Sequence, residues 1–512
     1  MSENIVEKLK SSISELQSDS CSNPNEIFID LKSLLTVANR KEIVTILNEI
    51  DLKPVFERLN ELPSAKEESV ELFETVLTSL SSDYLLSRFQ DEIVRGLQAK
   101  SEKICNLWLK VLSNCMKEED AANNLVNADN QQSFNILLLV VKLMANASET
   151  TAKYCHTILS NAAQYNSLQM HLFSDNFKAA FSDVKNSSEV AKMRVYDLMV
   201  AISSFSPFCL NKVDEMGYLI DLIANVSEDD PLIALNCIQL VIDLSLTPHG
   251  RDYLHTSGAL RKIVGKMTEE NPLMHLILPG YLRIFGSIGK CNPSLVYNDY
   301  NVVIQKLLEF VISSDEALLS TAIETIGIIG ETVEGKQMFA NYVSEFNQIC
   351  LQTFGRLISC SSTNVKSRVL TTIAQLLSVN ESDPNGEMAT ITETWFKALL
   401  PHPAEKILSL AKQPFQEIRL PALNVIKVMA THLWGQKQLA AVTGFVDYLM
   451  DRSTEREKAG KEAKYDIVVE IVQSPFGTFA FNRESLSRMK RYYHEGPFFV
   501  STETAVAIEE GR

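Results

Sequence analysis

The chain has 512 residues, with 48 Lys and Arg against 64 Asp and Glu, a net charge of −16. Its surface is therefore acidic and unsuited to nucleic acid, whose binding needs a basic face that releases phosphate counterions. At 46% hydrophobic and 22% charged residues, the composition is that of a folded chain with a large buried core.

The N-terminus, MSENIVEKLKSSISELQ, mixes acidic, basic and apolar residues in a helical pattern and has no apolar signal core. The protein is expected to stay inside the cell. Helical periodicity continues through EIFIDLKSLLTVANRKEIVTILNEI (26–50) and KICNLWLKVLSNCM (103–116). The longest aliphatic run, Ile136 to Val141, falls far short of the roughly 18 apolar residues of a membrane span, so no membrane partner is expected. Nine cysteines, from Cys21 to Cys360 and without a Cys-x-x-Cys pair, fit reduced thiols in helices. Cys155-His156 is the closest approach of a histidine to another His or a Cys, and adjacency is not metal spacing. Glycine-rich phosphate loops, nucleophile elbows and zinc-protease motifs are absent, and Gly289-Lys290-Cys291 lacks the upstream glycine and the hydroxyl of a phosphate loop. The chain is expected to be no enzyme and to need no cofactor or metal.

From about residue 190 the sequence repeats. IALNCIQLVIDLSLTPHG, LLSTAIETIGIIGETVEG and IRLPALNVIKVMATHLWG align without a gap on Gly250, Gly335 and Gly435. Taking Cys237 as an anchor, equivalent positions fall at 195, 237, 281, 322, 369 and 422, spaced 42, 44, 41, 47 and 53 residues apart. Apolar residues one, four and seven positions after the anchor make one helical stripe. Eight positions after it stand Ser203, Ser245, Gly289, Gly330, Leu377 and Ala430, mostly small, as close helix crossing requires. The glycines read as helix ends, with GRDYL, GKQMF and GQKQL opening a short second helix. Spacings near 40 residues are those of armadillo and HEAT units. The expected fold is an all-α, armadillo/HEAT-like helical-repeat solenoid, with an irregular helical bundle as the alternative. Its parts are degenerate N-terminal repeats over 1–190, armadillo/HEAT-like repeats with a C-terminal cap over 191–500, and a disordered tail over 501–512. A solenoid with capped ends needs no copy of itself, so a monomer is expected.

Two positions after the anchors stand Asp197, Gln239, Arg283, Glu324, Thr371 and Asn424. All are polar, and they are the candidate partner-binding groove. Further along, ESDPNG (381–386) resembles half a calcium loop, but Thr392 stands where a bidentate Glu is needed, and a polar turn is the expectation. The run from Asp451 to Asp466 alternates charge sign, with Glu457 and Lys461 four apart, as an exposed helix does. Arg488, Lys490, Arg491, Tyr492, Tyr493 and His494 read as a charged cap on the last helix.

Several segments go beyond a generic repeat: RVYDLM from Arg194, TPHGRDYL from Thr247, TVEGKQ from Thr332, GFVDYLMDRSTEREKAGKEAKYDIV from Gly444 and YYHEGPFFV from Tyr492. With these the chain resembles the proteasome non-ATPase regulatory subunit 5 family, most clearly from about residue 190 onward. The resemblance implies a cytoplasmic assembly chaperone, with the nucleus as a further location, for the base of the proteasome regulatory particle. Such a protein holds the C-terminal domain of an ATPase subunit, acts on base assembly intermediates, and leaves before or as the ring docks on the core particle. A general armadillo-type adaptor is the competing reading. It would present a ladder of Asn and Trp, of which only Asn424 is found in place.

Overall fold

A computed structural model describes residues 53–60, 81–120, 131–146, 148–226, 230–269, 274–342, 345–360, 362–379 and 386–499, with isolated positions before residue 81. The segments 26–50 and 501–512, and ESDPNG apart from Gly386, lie outside the described residues apart from Ile27. Among the described residues the regular structure is all helix. The chain forms two compact units, one of residues 1–228 with 239–253, the other of 229–238 with 254–512.

The fold is an all-α helical-repeat solenoid of armadillo/HEAT type, built on a series of long helices. These are α1 (Glu102–Cys115), α2 (Glu149–Ala162), α3 (Glu189–Ser203), α4 (Pro231–Ser245), α5 (Met274–Cys291), α6 (Glu316–Gly330), α7 (Thr363–Leu377), α8 (Gln416–Ala430) and α9 (Lys458–Gln473), followed by α10 (Arg483–Glu495). Within the first unit α1 packs on α2 and α2 on α3; within the second, α5 to α9 pack side by side in chain order. Shorter helices complete each repeat, such as Pro248–Thr256 and Ala259–Met267 after α4, or Leu433–Ala441 and Phe445–Met450 after α8.

The six anchors, Val195, Cys237, Tyr281, Ala322, Val369 and Ala422, are all buried, and so are the residues one, three, four, seven and eight positions after each. A helix buried on so many positions is covered on two sides, and the small residues at the eighth let the next repeat approach. At Gly289 a Cβ would stand 2.7 Å from the Ile329 side chain. The same pattern extends upstream. Trp108 and Cys155 occupy the anchor position in α1 and α2, with Leu112, Cys115 and Met116, and Leu159, Ala162 and Ala163, buried after them.

The three aligned glycines do not end helices. Helices α4, α6 and α8 end at Ser245, Gly330 and Ala430, and Gly250, Gly335 and Gly435 lie in the first turn of the next helix. Glycine is needed there for close approach: a Cβ would lie 1.9 Å from the Leu244 carbonyl oxygen, 1.9 Å from that of Ile329 and 2.1 Å from that of Met429. The residue after each glycine then reaches the open carbonyls of the long helix. Arg251 donates to the oxygens of Ser245 (2.9 Å) and Leu246 (3.1 Å), Lys336 to those of Gly330 (2.8 Å) and Glu331 (2.7 Å), and Gln436 to that of Ala430 (2.7 Å). A neighbouring side chain ties the same turn to the preceding repeat, as His249 does with the Ser203 oxygen (2.8 Å) and His432 with that of Leu377 (2.8 Å). The left-handed glycines lie elsewhere; Gly258 (φ 77°) and Gly444 (φ 75°) start the third helix of their repeats.

The C-terminal region departs from the sequence expectation in two places. The run 451–466 is not one exposed helix: a 3-10 turn over Arg452–Thr454 and an extended stretch precede α9, which starts at Lys458. Two of its charges, Glu455 and Lys464, are buried. Glu455 lies 3.0 Å from Arg419, and Lys464 donates to the oxygens of Tyr448 (2.7 Å) and Asp451 (3.0 Å) and to the Thr454 hydroxyl. Burial lowers the Lys464 amine to about 8, with Glu455 and Asp451 opposing the shift.

The basic aromatic cluster is likewise more than a charged cap. Arg488 pairs with Asp447 (2.8 Å), Tyr492 is buried, and Tyr493 stacks on Tyr465 with 6.1 Å between ring centroids. The Glu495-Gly496 turn receives Arg452, which pairs with Glu495 (3.0 Å), donates to the Gly496 oxygen (3.0 Å) and lies 3.9 Å from the centre of the Tyr492 ring. Gly496, at φ 81°, turns the chain in a way that L side chains resist.

Candidate functional site: a polar position on the long helices

Two residues after each anchor the helix surface turns to solvent. Asp197, Gln239, Arg283, Thr371 and Asn424 are exposed there and Glu324 is half-buried. Helical geometry accounts for this: with the first, third and fourth positions covered, the second and sixth form the open stripe.

In the first unit, Asp197 lies 3.4 Å from the His156 Nε2 of α2. Gln239 donates to Asp243, four residues on, at 3.1 Å. Burial raises the Asp243 carboxyl above its ordinary range; Gln239 opposes that shift, and the charge of Asp197 adds to it. His156, Arg194 and Asp197 also line a cleft of about 410 Å³ with Glu149 and Lys153. The structure thus brings Asp197 and Gln239 together through Asp243.

In the second unit the stripe is stitched by ion pairs between successive helices. Glu324 of α6 pairs with Arg368 of α7, Lys290 of α5 with Glu331 of α6 (3.3 Å), and Lys427 of α8 with Asp466 of α9 (2.8 Å). Thr371 returns its hydroxyl to the Ser367 oxygen at 3.0 Å. Arg283 and Asn424 stand exposed on the same stripe. These four residues share a helical position, and Glu324 is tied across to the next repeat.

Sequence reasoning missed Asp243 and Arg368, which sit on the same face one turn from the predicted positions. The four-residue spacing from Gln239 to Asp243 was the signal available. It also missed Lys110 and Thr157, at the matching position of α1 and α2; Lys110 pairs with Glu74 at 2.6 Å. Trp434, by contrast, is off this face: it is buried and donates to the Thr392 hydroxyl at 3.2 Å. That hydroxyl is itself turned to the Met388 oxygen (2.7 Å), within the helix Glu387–Leu399. Among the described residues no group of three or more His, Cys, Asp or Glu could hold a metal ion, and no helix is long and apolar enough to cross a membrane.

Within each unit the arrangement offers polar groups of mixed charge on the open side of the long helices. The chain is similar to the 26S proteasome non-ATPase regulatory subunit 5 of Homo sapiens, 28% identical over 490 residues that cover 95% of this chain and 96% of that one. It is also similar to the subunit of the same name from Bos taurus (29% over 492 residues, 95% and 96% covered) and from Drosophila melanogaster (24% over 347 residues, 67% of each). Among solved structures, an engineered protein matches with a TM-score of 0.40 at 11% identity, covering 90% of this chain and 98% of that one. Computationally designed armadillo repeat proteins for modular peptide recognition match with a TM-score of 0.33 at 15% identity, over 48% and 98%. The fold assignment rests on the repeat geometry itself. Residues 5–512 match the family described as Proteasome non-ATPase 26S subunit, and the chain belongs to that family, among the regulatory subunits numbered 5.

Proposed function

We propose that the chain is a non-catalytic chaperone for assembly of the proteasome regulatory-particle base. In this reading it works in the cytosol, holds the C-terminal domain of an ATPase subunit within base intermediates, and leaves before or as the ring docks on the core particle. The observation that carries the reading is the second position after the anchor. It is polar in all six repeats and exposed in five, with Glu324 half-buried, while the positions directly before and after it are buried, so it contributes little to the core and leaves polar groups available to a partner. A rigid series of helices suits a folded domain better than a flexible peptide, because little surface must be ordered on binding. If the held face of the ATPase is also the face that meets the core particle, binding and docking exclude each other, and each weakens the other by the same factor.

The test is an affinity pulldown of the tagged chain from cells of its own source, separated on a native gel, with the co-purifying proteins identified by mass spectrometry. Regulatory-particle ATPases without core-particle subunits are the expected result. Recovery of an unrelated partner without those ATPases overturns the reading. Charge reversal at Asp197 and Glu324 is expected to weaken ATPase recovery while the melting temperature stays close to that of the unaltered chain.

A further inference from the structure

A second surface lies at the starting ends of the long helices. Five residues before each anchor, the repeats from α1 to α8 carry Lys103, Thr150, Val190, Leu232, Leu276, Ala317, Asn364 and Glu417, and every one of them is exposed. A position open to solvent in all repeats gives leucine no folding role, and most repeats fill it with small or polar residues. Leu232 is nevertheless 69% exposed and Leu276 46%, and Leu235, one turn after Leu232, is 38% exposed.

All three leucines belong to the second unit. Their helices touch closely just beyond them: a Cβ on Gly280 of α5 would lie 2.9 Å from the Ile238 side chain of α4. Leu276 is four residues before that contact and Leu235 three, so both stand one helical turn back on neighbouring helices, which pack about 8–10 Å apart. The result is a short apolar strip crossing two helices. Carboxylates border it. Asp230 is exposed just before α4, Glu269 is exposed just after the helix Ala259–Met267, and Asp315 and Glu316 open α6. Asp230 and Asp315 also accept backbone N–H groups at 2.8 Å as helix caps, while Lys266 is paired with Glu269 (2.9 Å). The border stays acidic.

We propose that Leu232, Leu235 and Leu276 form a docking strip for an amphipathic helix of a partner protein, one with leucine-like residues on its contact face and Lys or Arg along the edges. The apolar face of such a helix covers residues three and four apart, the pattern that fits side chains on two adjacent ridges. Its basic edges meet Asp230, Glu269 and Glu316, so association is steered by charge and weakened by salt. This surface is distinct from the polar stripe two residues after the anchors, and it stands or falls without the assembly role.

The experiment titrates the full chain into a fluorescently labelled, helix-forming peptide with a leucine stripe and lysine edges, followed by polarisation. Two control peptides replace every lysine with glutamate or scramble the stripe. The basic peptide is expected to bind at least about tenfold more tightly than either control, and Leu276→Asp or Leu232→Asp to weaken it by about tenfold. Leu276→Ser serves as a milder variant should the aspartate alter folding. Equal binding of the basic and acidic peptides, no binding of the basic peptide, or unchanged affinity in folded Leu276→Ser and Leu232→Asp overturns the proposal. Recovery of ATPases by the leucine variants, measured separately, reports on the assembly role alone.

Discussion

The turns after α4, α6 and α8 and the region from Phe445 to Phe499 face one problem, the open carbonyls where a helix stops, and solve it differently. In the repeats a glycine allows the chain to press against the helix end, and the next residue, Arg251, Lys336 or Gln436, covers the carbonyls. Its charge is incidental, since glutamine does the same work as lysine. At the C-terminal end the cover is an amine buried like that of Lys336, but set beside a buried ion pair. Lys464 holds the carbonyls of Tyr448 and Asp451 while sharing its surroundings with Glu455 and Arg419. Neutral substitution should therefore be tolerated in one place and not in the other.

The largest effect is expected from Lys464→Met. It strands two carbonyls and leaves Glu455 facing Arg419 alone, a loss of about 3–5 kcal/mol that urea unfolding measures. Lys464→Gln should cost nearly as much. Next come Gly335→Ala and Gly435→Ala, each of which drives a methyl into a backbone oxygen and should cost about 2–4 kcal/mol. Lys336→Met is expected to cost about 2–3 kcal/mol and Lys336→Gln about 1 kcal/mol or less, because Gln436 already fills that role. Equal losses in the two Lys336 variants would break the comparison.

The pH dependence sharpens it. Lys464 titrates at about 8 in the folded chain against about 10.4 unfolded. Between those values the folded state binds fewer protons, so this group's contribution to stability rises with pH, by at most about 1.4 kcal/mol per pH unit. The gap in melting temperature between the unaltered chain and Lys464→Met should widen from pH 8 to pH 10. The thiols of the first unit act with the opposite sign. Burial raises Cys105 and Cys115 to about 11 and Cys155 to about 12. Their contribution is complete below about pH 8.5 and is lost as pH rises through the folded values, a loss that a Cys155→Ala variant should show less of. The smallest effect is a gain. Gly265, in the helix Ala259–Met267 with nothing within 4 Å of its Cβ position, should stabilise by about 0.5–1 kcal/mol on change to alanine.

The repeat was legible because its burial is periodic. Val195, Cys237, Tyr281, Ala322, Val369 and Ala422 could be aligned from apolar offsets alone, and the polar position two residues on followed from them. Trp108 and Cys155 obey the same offsets but were not read as anchors, since the position matching Gly250 is Leu168 after α2 and no glycine marks the register. The glycines themselves were located and misread: sequence shows that a side chain is excluded, and only the fold shows that a carbonyl oxygen excludes it. Glu455 and Lys464 were illegible for a different reason. Alternating charge carries no label for burial, and the partners that make burial tolerable, Arg419 and the Tyr448 carbonyl, lie on other helices.

The carbonyl covers have a consequence for how the chain acquires its structure. Arg251, Lys336 and Gln436 each lie six residues after the first carbonyl they cover. The ties backward from His249 and His432 span 46 and 55 residues, about one repeat. Lys336 also reaches forward to the Gln375 oxygen (3.3 Å), 39 residues on; these ties span about one repeat at most, so during synthesis α4, α6 and α8 can each be sealed within about one repeat of leaving the ribosome. The entropy of closing loops is then met in small instalments, and the time to fold is set by one repeat rather than by the whole chain.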